Sequence, residues 1–134
     1  MDAMPQVDRA DVELRLPADS AYVSVLRTTT AGLAARLDFP IDDIEDLRIA
    51  VGEACALVLP EAQPGSDLTC AFFLGSSQLT VRVTVVSAGD VAPDLDSFAW
   101  QVLSTLATAA DVSSHEGRFS VTITMQPEDV GAGL

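Results

Sequence analysis

Basic residues are scarce in this chain of 134 residues. Seven arginines, with no lysine, stand against 20 aspartates and glutamates, so the formal net charge is −13. A surface with this balance repels the phosphate backbone of a nucleic acid rather than attracting it. We therefore expect no direct binding to DNA or RNA.

Long apolar runs are also missing. Although 49% of the residues are apolar, no run approaches the ~18 consecutive apolar residues of a membrane-spanning helix. The first residues, MDAMPQVDRADVE, are acidic early and contain no apolar segment of the secretory type. We expect a soluble, cytosolic protein without membrane contact, with one domain over 1–134 and flexible tails at 1–10 and 127–134.

Residues that bind metals or form disulfides are few. Cys55 and Cys70 lie in apolar stretches without CxxC spacing, and His115 is the only histidine. Neither a zinc site nor a disulfide framework is indicated, and free thiols in a reducing compartment are expected. His115 and Glu116 are predicted to be a solvated surface pair. The absence of a nucleophile elbow and of a catalytic His–carboxylate spacing argues against a stand-alone metabolic enzyme.

Hydrophobic periodicity predicts one strand and two helices in the first half of the chain. Residues 11–17 alternate apolar and charged side chains, as a half-buried strand does. A first helix is predicted from about 20 to 37, after an N-cap at Asp19 or Ser20. A second helix at 44–59 follows acidic residues that favour its positive end. The predicted core residues are Tyr22, Leu26, Thr29, Leu33 and Leu37 in the first helix, and Ile44, Leu47, Val51, Ala54 and Val58 in the second.

The second half is predicted to contain two strands, a helix and a last strand. Their predicted ranges are 68–75, 78–89, about 97 to 110 with an N-cap at Asp96 or Ser97, and 118–126. Ser76 and Ser77 join the first two strands into a hairpin. The predicted core residues of the third helix are Phe98, Val102 and Leu106, flanked by Leu95, Ala99 and Leu103. The alternate polar side chains of 78–89 indicate a sheet that is covered on one face, and hence a two-layer α+β sandwich.

One face of the first helix carries small side chains around a single long cation. Helical geometry places Ser24, Arg27, Thr28, Ala31 and Ala35 opposite the predicted core residues. On its own this pattern favours a plain solvated face. The alternative is a site at which another protein surface approaches closely.

Glu53 does not fit the pattern of the second helix. It projects about half a turn away from the core residues, and its neighbours one turn away, Ile49 and Leu57, are apolar. We therefore expect another surface to pack over this side of the helix. Trp100 poses a similar choice in the third helix, because it is either an interface aromatic or a partly buried packing residue.

Residues 16–55 carry a resemblance to a known family. The segment contains PADSAYV, the arginine of VLRTTT, and IEDLRIAVGEAC. It closely resembles the N-terminal half of bacterial anti-sigma factor serine-protein kinases, the RsbW-like branch of the histidine-kinase-like (GHKL) ATPase superfamily. The resemblance implies a Bergerat-type α+β fold, in which a mixed, mostly antiparallel sheet is covered by helices on one face.

The family's nucleotide site is only partly present. Glu53 falls at the catalytic glutamate of the family's N box, but the asparagine that holds Mg²⁺ is replaced by Leu57. The adenine-binding motif, Asp-x-Gly-x-Gly, begins at Ser87 and keeps only Gly89, with Asp90 indicating a possible shifted register. No glycine-rich lid follows. The resemblance therefore implies a vestigial nucleotide site at these positions, no metal ligand, and weak or lost binding of ATP and Mg²⁺, as in actinobacterial members with shortened lids.

Two functions remain open from the resemblance. The first is an anti-sigma factor that sequesters an alternative sigma factor and is displaced by an anti-anti-sigma protein of the STAS type. The family's helix-one arginine, which contacts both partners, falls on Arg27, so Arg27, Ser24 and Ala31 are the predicted partner-binding residues. The second function is an active serine-protein kinase that phosphorylates the anti-anti-sigma protein, against which the missing metal ligand and lid argue. The family also implies a homodimer.

Overall fold

The fold consists of eight main elements, and the computed structural model describes residues 9–128. The predicted tails at 1–10 and 127–134 therefore lie almost entirely outside the described residues. The elements are β1 (Val12–Pro17), α1 (Val23–Arg36), α2 (Ile41–Val58), β2 (Asp67–Gly75), β3 (Gln78–Val86), α3 (Phe98–Leu106), β4 (Ala109–His115) and β5 (Arg118–Met125). Short 3₁₀ turns, Ser20–Tyr22 and Leu59–Glu61, precede α1 and follow α2.

The five strands form one sheet in the order β1-β2-β3-β5-β4. Every neighbouring pair is antiparallel, so the predicted α+β class is confirmed but the expectation of a mixed sheet is wrong. Tight hairpins join two of these four pairs. Ser76 and Ser77 connect β2 to β3, as predicted. Glu116 and Gly117, with φ of 52° and 76°, connect β4 to β5, because left-handed residues match the twist of paired strands in such turns.

β4 was not predicted. The alanine-rich run 107–110 suggested that the third helix continues to Ala110, whereas the helix ends at Leu106. Ala107 takes an extended ψ of 154°, and the Thr108 N–H donates to the Thr124 carbonyl at 2.9 Å. Pairing with β5 therefore overrides local helix preference, and it leaves β4 as a short edge strand.

The three helices cover one face of the sheet, and α2 lies at the centre of the helical layer, in contact with α1, α3, β3 and β5. All five predicted core residues of α2 are buried. The strand residues that face the helices are buried in strict alternation in β3 and β5. On the other face, hydroxyl pairs such as Thr84–Ser120 (2.7 Å) bridge neighbouring strands. Among residues 9–128, no helix is both long and apolar enough to cross a membrane.

The core side of α1 differs in part from the prediction. Leu26, Thr30 and Ala34 are buried, whereas Tyr22, predicted to lie in the core, is 41% exposed. The Thr30 hydroxyl donates to the Leu26 carbonyl at 2.8 Å, so its burial leaves no unpaired donor. Of the predicted core residues, Leu26 is buried and Leu33 and Leu37 pack partly buried against the core, so the prediction is confirmed for these three and wrong for Tyr22, which lies in the turn before α1.

The core side of α3 also differs from the prediction. Its N-cap is Ser97, one of the two predicted residues, whose side chain accepts from the Trp100 N–H at 3.2 Å. Leu103 is fully buried, but Phe98 is 77% exposed. Trp100 is partly buried against the core, which agrees with the packing alternative for this residue.

Candidate functional site

An open groove of about 470 Å³ lies between the first turns of α1 and the second half of α2. We call it the α1–α2 groove. Ser20, Val23 and Arg27 line it from one side, and Ile49, Gly52, Glu53, Cys55, Ala56 and Leu59 line it from the other. Two residues that the sequence singled out for different reasons, Arg27 and Glu53, therefore share one surface feature.

Arg27 lies across α2 at Gly52, which corrects the predicted position of its face. A Cβ atom built on Gly52 would lie 3.2 Å from Nη1, 3.7 Å from Cδ and 3.9 Å from Cζ of Arg27. The side chain is half-buried, as is Ala31, while Ser24 is exposed. The predicted small-residue face is thus not opposite the core, since part of it turns toward α2.

Among residues 9–128, Arg27 forms no ion pair with a carboxylate. The ion pairs among residues 9–128 join Arg15 to Asp67, Arg48 to Glu45 and His115 to Glu116. Within this range, therefore, no carboxylate lies at ion-pair distance from the Arg27 guanidinium, not even that of Glu53 on the same groove. Within these residues, the half-buried Arg27 guanidinium is therefore available for a ligand with an acidic group.

Glu53 is half-buried, and its surroundings match only part of the expectation. Ile49, one turn earlier, is 46% exposed. Within residues 9–128, therefore, no other surface packs over Ile49, although the sequence predicted one on this side of the helix. Leu57, one turn later, packs against the core. Glu53 therefore lies at a boundary between an exposed apolar surface and the packed interior.

The floor of the groove contains a buried thiol that is chemically inert. Burial raises the pKa of Cys55 to about 12, although the positive charge of Arg27 partly opposes this shift. Burial, together with the neighbouring Cys55, also raises the pKa of Cys70 to about 12. Both cysteines are free. Because only the thiolate is an effective nucleophile, neither residue is a candidate for covalent catalysis.

The metal position of the family motif does not face the groove. Leu57 lies about 140° around α2 from Gly52, and it packs against the core rather than lining the groove. An aliphatic side chain in this place offers no oxygen ligand to Mg²⁺. Across residues 9–128, no group of three or more His, Cys, Asp or Glu side chains is arranged to hold a metal ion.

The remnant of the adenine motif forms a separate hollow. Ser87 is buried, and its hydroxyl donates to the Gly89 carbonyl at 2.6 Å, so its hydrogen-bonding capacity is used within the loop. The hollow is lined by residues 87–92 with Pro60 and Glu61, and its charged lining side chains are the carboxylates of Glu61 and Asp90. Its described lining contains no arginine or lysine, so the hollow offers no cation to a triphosphate. The residues present at the motif positions do not fit Mg-ATP.

Sequence reasoning missed Gly52. A glycine inside a helix is unfavourable, which is a signal that a close contact requires it. The contact, however, comes from a residue 25 positions earlier in the chain, and only the packing of α1 on α2 reveals it.

Comparison with known proteins agrees with the resemblance seen in the sequence. No protein-family model matches the chain. Serine-protein kinase RsbW of Bacillus cereus (strain ATCC 10987 / NRS 248) is 38% identical over 74 residues, and that of Bacillus mycoides (strain KBAB4) is 36% identical over 74 residues. Each alignment covers 54% of this chain and 46% of the relative, so the chain spans about half the length of the curated relatives that it matches.

Solved structures support the fold. The crystal structure of the RsbU and RsbW domains of Rv1364c from Mycobacterium tuberculosis matches with a TM-score of 0.64 and 15% sequence identity. The match covers 86% of this chain and 31% of that chain, and at this identity it concerns the fold alone. Over about half of its length the chain is therefore similar in sequence to RsbW serine-protein kinases, and its α+β fold is similar to that of the matched crystal structure.

Proposed function

We propose that this chain is a cytoplasmic anti-sigma factor. In this proposal it sequesters an alternative RNA polymerase sigma factor in a partner-switching system, acts as a homodimer, and is antagonised by an anti-anti-sigma protein of the STAS type. The observation that carries the proposal is the α1–α2 groove, where the Arg27 guanidinium lies against Gly52 beside the exposed Ile49. The similarity to RsbW proteins supports it.

The proposed partner site combines one charge with an apolar surface. Ser24, Arg27 and Ala31 are spaced by three and four residues, so they share one side of α1. Ser24 and Ala31 are small enough for a partner to approach closely, and Ile49 supplies exposed apolar area. An ordered arginine among apolar contacts is a typical interface hot spot.

The kinase alternative has less support. The relatives are named serine-protein kinases, but phosphoryl transfer depends on metal-bridged phosphates and positive charge around them. Leu57 packs against the core at the metal position, and the described lining of the hollow at the adenine motif contains no arginine or lysine. We therefore propose that binding of ATP and Mg²⁺ is weak or lost, and that Glu53 is no longer a catalytic residue.

A titration with matched arginine variants tests the partner site. Purified alternative sigma factors and STAS proteins of the host are each titrated with the wild-type chain, Arg27→Ala and Arg36→Ala. Arg36 is exposed in the last turn of the same helix, so its removal changes the net charge equally. We expect Arg27→Ala to weaken binding by more than about tenfold, or about 1.4 kcal/mol, and Arg36→Ala to change it by less than about twofold.

Thermal melting of both variants provides the control for folding. Arg27→Ala is expected to melt close to the wild-type temperature, because its charged end is not part of an ion pair within residues 9–128. If Arg27→Ala is folded and binds the partner with the same affinity as the wild type, the α1–α2 groove is not the partner site.

A further inference from the structure

Gly52 lies in the middle of α2, an 18-residue helix. Glycine is among the least favourable residues inside a helix, because folding removes more backbone freedom from it than from any other residue. Its φ is not in the left-handed region, since only Gly65 and Gly117 among the described glycines have positive φ. Backbone conformation therefore does not require glycine at this position, and the reason lies in packing.

The packing reason is the side chain of Arg27. The position that a Cβ atom would take on Gly52 is 3.2 Å from Nη1 of Arg27, which is closer than an ordinary van der Waals contact. Cδ and Cζ lie at 3.7 and 3.9 Å, so the distal part of the side chain follows the surface of α2. The positive charge of Arg27 also reaches Cys55 beneath it, whose pKa it lowers against the larger effect of burial.

We propose that Gly52 is a positioning residue, whose lack of a side chain lets Arg27 lie along α2 and present its guanidinium to a carboxylate of the bound partner. This inference rests on the proposed function. A free arginine side chain loses much rotational freedom when it binds, and a side chain that is ordered beforehand avoids part of that cost. The planar guanidinium then offers its remaining N–H groups to a carboxylate in the bidentate geometry that arginine favours.

The charge of the groove indicates a single acidic side chain as its ligand. Arg27 is the only cation among the lining residues of the α1–α2 groove, and Glu53 is the only anion. This lining matches a partner segment whose carboxylate binds Arg27 and whose neighbouring apolar side chains pack on Ile49 and Val23. A phosphate, which carries more negative charge, meets stronger repulsion from Glu53.

Gly32 provides a matched control. It also lies inside a helix, α1, but a Cβ atom at Gly32 meets no atom within 4 Å. Gly32→Ala and Gly52→Ala therefore make the same chemical change and the same gain in helix preference. Of the two, only Gly52→Ala brings a Cβ atom against the Arg27 side chain, which has to shift to accommodate it.

The test measures the affinity of four variants for the purified sigma factor that the wild-type chain binds in the titration above. The variants are Gly52→Ala, Gly32→Ala, Arg27→Ala and the double variant Gly52→Ala/Arg27→Ala. We expect Gly52→Ala to weaken binding by about five- to tenfold and Gly32→Ala to leave it within about twofold. Because Gly52 acts through Arg27, the double variant is expected to bind like Arg27→Ala alone.

A second readout needs no partner. The ¹⁵N relaxation of the Arg27 Nε–H group is expected to show an ordered side chain in the wild type and in Gly32→Ala, and a mobile one in Gly52→Ala. Unchanged relaxation in Gly52→Ala would overturn the proposal, as would an additive loss of affinity in the double variant. If Arg27→Ala binds the sigma factor normally, the proposed partner site fails instead, and the relaxation measurement still decides whether Gly52 positions Arg27.

Discussion

Glu53 matches the family's catalytic glutamate in residue type, but the residue at the family's metal position, Leu57, offers no metal ligand. Leu57 packs against the core one turn later, and the exposed Ile49 lies one turn earlier. The side chain shares its groove with Arg27 rather than with a metal ligand or a phosphate-binding cation. At the scale of single residues, we therefore regard Arg27 as the functional centre of the groove.

The position of Arg27 was only partly predictable. The sequence singled it out as the one long side chain on a small-residue face, and this choice did not depend on the fold. Its contact with Gly52 depends on how α1 packs on α2, because the two residues are distant in the sequence. For the same reason, the importance of Gly52 cannot be read from local periodicity.

Alkaline pH is expected to destabilise the protein through its buried thiols. Burial raises the pKa of Cys55 and Cys70 to about 12, from an ordinary value of 9.0. The folded state therefore holds two protons that the unfolded state releases, and this stabilisation is complete below about pH 9 and is lost as the pH rises toward about 12. Each thiol is expected to contribute a loss of about 1 kcal/mol per pH unit within this window.

Urea denaturation across this pH range measures the effect. The variant Cys55→Ala/Cys70→Ala is less stable at neutral pH because it leaves cavities, but its stability is expected to fall less steeply above about pH 9. An equal slope for wild type and variant would show that the thiols do not carry the effect.

A thiol reagent is also expected to react with the native protein far more slowly than with the unfolded chain.

At the scale of elements, sequence patterns were reliable where one side of a helix is clearly apolar. The predicted core residues of α2 are all buried, because they repeat with the helical period along one side of the helix. In α1 and α3 apolar residues occur on several sides, and the prediction placed Tyr22 and Phe98 in the core although both are exposed. β4 was not predicted from the sequence, because it is stabilised by pairing with β5 rather than by the strand preference of its own residues.

Restoring the family's asparagine in α2 is expected to damage the fold rather than to restore a metal site. Leu57 packs against the core, so Leu57→Asn removes apolar contacts and buries an amide, at a cost of about 1 to 3 kcal/mol. Ala56→Asn introduces the same side chain at an exposed neighbouring position, and it is expected to cost less than about 1 kcal/mol through helix preference.

Thermal melting with and without Mg-ATP distinguishes damage to the fold from restoration of a metal site. We expect Leu57→Asn to melt several degrees below Ala56→Asn, with no upward shift when Mg-ATP is added. A stable Leu57→Asn variant whose melting temperature rises with Mg-ATP would show that the nucleotide site is intact except for one ligand.

At the scale of the whole molecule, the charge balance agrees with a protein partner. A net charge of −13 disfavours a nucleic acid as the ligand. Three of the seven arginines, Arg15, Arg82 and Arg118, lie on the sheet rather than in the groove. A single arginine in an apolar groove gives specificity for one acidic side chain without a large attractive field. The prediction of one domain over 1–134 and the proposed homodimer stay predictions.

The central claim is that the chain binds a sigma factor through the α1–α2 groove without using ATP. The most direct measurement is a calorimetric titration of the wild-type chain with each alternative sigma factor of the host, in the presence and absence of Mg-ATP. We predict that one sigma factor binds with a dissociation constant that Mg-ATP leaves unchanged, and that Mg-ATP alone binds no more tightly than about 0.1 mM, or about −5.5 kcal/mol. Micromolar binding of Mg-ATP, or a sigma complex that forms only in its presence, would contradict this account.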